Sequence, residues 1–176
     1  KTFGHAPGWG HWLTWEFPER WTRFHALPLS KQYPDTPEEM TTIVERANTL
    51  AEECMGGSTC VSLIMLDEEC NRNLCNANQS LDWQTLLTWT DESDPPEERF
   101  ESTFLVARIT WVPHVFDWLF AGIAEEAMTA LFFSHDHGTV FAPYDGGFDI
   151  LCSDAEKLRH LECKYESWMP DRADKL

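Results

Sequence analysis

The chain predicts an α+β single domain: a mainly antiparallel sheet with about three helices packed on it. Three observations point there. Thr129 to Ser134, Thr139 to Pro143 and Phe148 to Cys152 are short apolar runs separated by two Gly-containing turns, which reads as an antiparallel meander. Residues 36–54 carry apolar side chains at helical spacing. The order of elements is helix, strand, a stretch of poor signal, strand, helix, three strands, helix, an irregular mixing that suits helices laid on a sheet.

Residues 1–34 are rich in Gly, Pro, Trp and His and read as an irregular N-terminal arm, or a short strand, pinned by Trp12, Trp15, Phe17 and Trp21. In the first helix Met40, Ile43, Val44, Ala47, Leu50, Ala51 and Cys54 share a face. Thr36 is its cap, Pro37 suits the first position, Glu39 completes a capping box, and Gly56-Gly57 stops it. Thr59 to Leu66 is β-rich and apolar, as a central strand would be. Residues 67–103 read as a variable acidic insertion: Ser80 to Trp89 is either a short helix or an extended segment, and Asp91 to Glu98, with Pro95-Pro96, is a loop. Phe104 to Val112 gives a second strand. Pro113 then leads into a helix with Phe116, Leu119, Phe120, Ile123, Ala124 and Ala127 on one broad apolar face. The last helix, 154–168, opens with a capping box of Ser153 and Glu156, buries Leu158, Leu161, Tyr165 and Trp168, and stops at Pro170. No repeat or linker divides the chain, so 1–176 is one domain.

The 176 residues are 43% hydrophobic, with nine Trp and eleven Phe, enough apolar area for a continuous core, which argues against disorder. The net charge of -17 repels nucleic acid and anionic lipid, so neither a nucleic acid nor a membrane is expected as a partner. No apolar run approaches the length of a spanning helix. Cys54, Cys60, Cys70, Cys75, Cys152 and Cys163 form no zinc spacing and read as mostly buried thiols in a cytoplasmic protein, although an even count also suits disulfides in an exported one. The start, Lys1-Thr-Phe-Gly-His, has neither an initiator Met nor an apolar leader core, as a processed start would. Oligomeric state is left open.

Three groups of residues could carry function. His135, Asp136 and His137, with Asp145 and Asp149, are the first place to look for a metal or acid/base site. A polar hairpin turn explains the same residues, and no third ligand is placed by spacing; no metal and no cofactor is therefore assigned. Tyr144 and Asp145, before Gly146-Gly147, form either a plain tight turn or an exposed ring and carboxylate offered to a partner. Arg23, His25 and Lys31 give a locally basic stretch that could bind an anion or offset nearby carboxylates. Phosphate-loop, dinucleotide, nucleophile-elbow and zincin motifs are all absent from the sequence.

Two stretches carry a resemblance. R-F-H-x-L-P-x-S-K-x-Y-P at Arg23 to Pro34 leads into the helix with Asn48; F-x-P-Y-D-G-G-x-D at Phe141 to Asp149 leads into the helix that ends Tyr165-x-x-Trp168. Together they resemble a family of small bacterial proteins that has no assigned catalytic residues. The resemblance covers both ends of the chain and leaves about 67 to 103 unmatched. The terminus reads Asp174-Lys175-Leu176 where the family pattern has Gly-Leu. Small acidic domains of this type, with a constant scaffold and a variable acidic insertion, are often immunity proteins encoded beside secreted toxins, an analogy of kind rather than of fold.

The expected function is thus non-enzymatic: an immunity protein that binds a cognate protein toxin and occludes its active site. Asp91, Glu92, Asp94, Glu97, Glu98 and Glu101 would steer a basic effector domain, and Trp89, Tyr144 and Asp145 would anchor it. Two alternatives stand beside it, a small metal-dependent or acid/base enzyme using His135, His137, Asp145 and Asp149, and a scaffold or regulatory domain.

Overall fold

The structure, a computed structural model, describes residues 16–68, 71–73, 81–90 and 101–170. Strands β1 (Trp21–His25), β2 (Val61–Leu66), β3 (Gln84–Thr90), β4 (Glu101–Ile109), β5 (Ala130–Ser134), β6 (Thr139–Tyr144) and β7 (Gly147–Cys152) form one sheet in the order β1-β7-β6-β5-β2-β4-β3. Every neighbouring pair is antiparallel. Helices α1 (Pro37–Met55), α2 (Asp117–Ala124) and α3 (Ala155–Lys164) complete the α+β architecture. The meander is β5-β6-β7. β1 arises inside the arm, and β3 arises inside the stretch of poor signal.

Strand side chains alternate between the two faces of the sheet. Phe24, Leu63, Phe132, Phe141, Phe148 and Ile150 point to the helix side, where they meet Leu50, Cys54, Phe116 and Phe120 in the main core. Aromatic edges and faces set its shape: Phe116 meets Phe132 at 5.5 Å and Phe120 meets Phe141 at 6.0 Å between ring centres. A smaller apolar cluster of Trp21, Leu131, Val140, Ala142 and Leu151 lies on the opposite face.

α1 follows the expected design, with one change at its start. Thr36 Oγ1 accepts from Glu39 N at 3.3 Å, but the Glu39 carboxylate reaches Asp35 N at 2.7 Å and Lys31 Nζ at 2.6 Å instead of closing the box on Thr36. α2 is shorter than expected: it ends at Ala124, Glu126 takes a positive φ of 57°, and Ala127 is exposed while Met128 turns into the core. In α3 the cap is Asp154, which accepts from Glu156 N at 2.8 Å, and not Ser153; the helix ends at Lys164 and Trp168 sits in a following 3-10 turn. An Asp side chain one residue nearer the first helical amide outcompetes the serine hydroxyl. Of the described cysteines, Cys54 and Cys152 are buried, Cys60 is half-buried and Cys163 is exposed, all as free thiols. Trp12, Trp15, Cys70 and Cys75 lie outside the described residues.

Candidate functional site

The two stretches that carry the family resemblance meet in space because β1 pairs with β7. Arg23 stands opposite Asp149 in the register, and His25 opposite Gly147. Arg23 Nε and Nη2 grip the two oxygens of Asp149 at 2.8 and 2.9 Å, and Trp21 Nε1 donates to Asp149 Oδ1 at 2.9 Å. The guanidinium lies between two rings, 5.2 Å from Trp21 and 4.9 Å from Tyr144. Burial disfavours its charge, yet the Asp149 hydrogen bonds and charge outweigh this, and the Arg23 pKa is raised. This is a structural clamp; Arg23 is committed to Asp149 and is no anion-binding group. Lys31 is likewise committed, to Glu39 and to Asp35 at 2.8 Å.

Gly147 allows the clamp to close. A Cβ there would come within 2.3 Å of the Phe24 carbonyl oxygen and 2.9 Å of the Tyr144 hydroxyl. Only a residue without a side chain lets the strands approach so closely.

Beyond the clamp, three connections converge at one end of the sheet: residues 26–36, the 125–129 connection after α2, and the β6–β7 turn. Ala26 N donates to Gly146 O at 3.1 Å, and Gln32 Nε2 donates to Asp145. Tyr33 OH receives Gln32 Nε2 at 3.0 Å and donates to Glu126 Oε1 at 2.8 Å. That bond, with further contributions from desolvation and from Asp145, pushes the Tyr33 pKa up to about 12, so the phenol stays a neutral donor. A cleft of about 270 Å³ opens here, with Ile123, Met128 and Pro143 as apolar floor and Glu126 and Asp145 on its rim. Among the described residues neither carboxylate meets a cation; both are bonded by neutral donors. Backbone strain gathers at this end as well. Leu29 (φ 59°), Ser30 (φ 56°) and Glu126 (φ 57°) are three of the four non-glycine residues with positive φ among the described residues, and Leu29 is 100% exposed. Such conformations persist only where surroundings enforce them.

The His135/His137/Asp145/Asp149 grouping does not assemble. The histidines flank the β5–β6 turn and Asp145 sits in the β6–β7 turn, at opposite ends of a strand roughly 17–20 Å long. Asp149 is held by Arg23, and the others have structural partners too. Asp136 Oδ2 accepts from Ser58 Oγ, Thr59 N, Thr59 Oγ1 and Cys60 N, which lowers its pKa. His137 Nε2 meets the Gly56 carbonyl at 3.1 Å, and His135 Nε2 meets Ser62 Oγ at 2.9 Å on the other face. Among the described residues no group of three His, Cys, Asp or Glu is placed to hold a metal ion, and no helix is long and apolar enough to cross a membrane.

The expected partner-binding residues also separate. Tyr144 is no exposed hot spot: its ring lies under Arg23 and against Gly147, and burial raises its pKa. Trp89, half-buried on the edge strand β3 and opposite Ser102, lies about 19 Å from β6 at ordinary strand spacing, and Glu101, at the start of the adjoining β4, about 14 Å. Asp91, Glu92, Asp94, Glu97 and Glu98 lie outside the described residues. Tyr33 was visible only as part of a motif, and neither the Glu125-Glu126 pair in a helix tail nor Leu29 after Pro28 signals a site in the sequence; their role comes from chain convergence.

No curated protein and no solved structure matches the chain significantly. A family model spans nearly all of it, including the Arg23–Asp149 clamp and the cleft beside it; the chain belongs to the family described as domain of unknown function DUF3885, matched over residues 9–173.

Proposed function

We propose that this chain is a binding protein for a basic polypeptide, and that it serves as an immunity protein which holds a cognate toxin's effector domain and occludes its active site. One observation supports this above the others: Glu126 and Asp145 rim an apolar cleft and carry negative charge that no cation of the described chain compensates. A lysine or arginine side chain is the complement, its aliphatic stem along Ile123, Met128 and Pro143 and its head between the carboxylates. Leu29, fully exposed on the same loop as Tyr33, adds an apolar anchor. The net charge of -17 favours encounter with a basic surface.

The test is protection of a host. The protein is co-expressed with the secreted effector encoded beside it, and growth is compared with that of a Glu126→Lys, Asp145→Lys double variant whose melting curve matches the wild type. Growth should be rescued by the wild type and not by the variant; full rescue by the folded variant rejects the reading. Association of the purified pair should slow as salt rises.

A further inference from the structure

A second cleft, of about 350 Å³, opens on the face of the sheet away from the helices. Ser62 lies between Val61 and Leu63, whose buried side chains point into the main core, so the Ser62 hydroxyl faces outward. Arg108 stands directly opposite it on β4, and His135 Nε2 reaches its hydroxyl at 2.9 Å. Asp82, two residues before β3, and Gln84, its first residue, line the cleft too, beside the apolar side chains of Leu86 and Val106.

Arg108 and Asp82 carry opposite charges in this one cleft and do not pair. Among the described residues neither side chain makes a hydrogen bond or ion pair with the other or with a third group. Arg108 thus has a carboxylate lining the same cavity and forms no ion pair with it. We propose that the space between them is a ligand site for a small zwitterion of the α-amino-acid class. The ligand carboxylate lies on the Arg108 guanidinium, with the Gln84 amide and the Ser62–His135 pair as added donors. Its ammonium group faces Asp82, and its side chain packs on Leu86 and Val106. Charge balance selects this class. One cation and one anion leave the site neutral, whereas a phosphate would keep surplus charge and approach against the field of a net -17 chain. The volume is at the small end for ligand sites, about 300–1,000 Å³, which suits a molecule of leucine size. The site is several strands from the Glu126/Asp145 cleft and does not rest on the partner-binding reading.

Isothermal titration calorimetry of the intact protein tests it, with L-leucine, with 4-methylpentanoate, which lacks the amine, and with 3-methylbutylamine, which lacks the carboxylate. Leucine should bind saturably at one site and each analogue at least about tenfold more weakly. Arg108→Gln and Asp82→Asn, both at exposed positions and expected to melt like the wild type, should each abolish the leucine heat. Ser62→Ala should weaken it by a few fold. Absence of heat with every standard amino acid, equal affinity for 4-methylpentanoate, or unchanged binding in either charge variant overturns the proposal.

Discussion

Arg23 and Asp149 are 126 positions apart in the chain and face each other on neighbouring strands, both largely shielded from water. Removing one member of such a pair strands the other's charge. Asp149→Ala should therefore cost about 3 kcal/mol in urea unfolding. Arg23→Lys should also destabilise, because a lysine cannot supply the two-pronged grip or the stacking between Trp21 and Tyr144. Gly147→Ala should lower stability by about 1–3 kcal/mol, since the added methyl meets the Phe24 backbone. The three tyrosines give a pH signature. Tyr33 is raised chiefly by Glu126, Tyr144 and Tyr165 chiefly by burial. Unfolded tyrosine loses its proton near pH 10 and these lose theirs later, so the unfolded state gains as pH climbs past about 10. Tyrosinate absorbance should appear late in the folded protein, and stability, intact below about pH 10, should fall above it.

Among elements, α3 offers a direct comparison of two candidate caps. Asp154→Ala should lower stability by about 1 kcal/mol, while Ser153→Ala, whose hydroxyl only touches the His137 carbonyl at 3.4 Å, should cost much less. Which elements could be read beforehand follows from burial. α1 and the β5-β6-β7 meander are pinned on a core, so their apolar spacing and glycine turns show in the sequence. β3 is an edge strand whose first residues are all exposed, so nothing imposes an alternating pattern, and Ser80 to Trp89 could not be resolved as helix or strand. α2 runs out before Ala127 because Glu126 turns left-handed to meet Tyr33, a tertiary demand with no local signal. The candidate site was half legible. The two motifs that build the clamp were visible as motifs, but their pairing, and the arrival of Glu126 between them, depends on the register of distant strands. The histidine grouping failed for the reverse reason: nearness in sequence was read as nearness in space across a hairpin.

At the scale of the molecule, the net charge of -17 opposes compaction, because like charges are brought closer on folding. Added salt screens that repulsion, so the melting temperature should rise as sodium chloride goes from low to about physiological ionic strength, while capture of a basic partner weakens over the same range. Opposite salt responses of folding and binding, measured on one preparation, would separate self-repulsion from recognition. The seating of β1 on β7 also has a consequence for synthesis. Among the described strands β1 has no other neighbour, so Arg23 waits without its counter-ion until the ribosome has released the polypeptide through Cys152. A nascent protein therefore cannot close the clamp before β7 has emerged, and one cut short ahead of it leaves β1 without its partner strand.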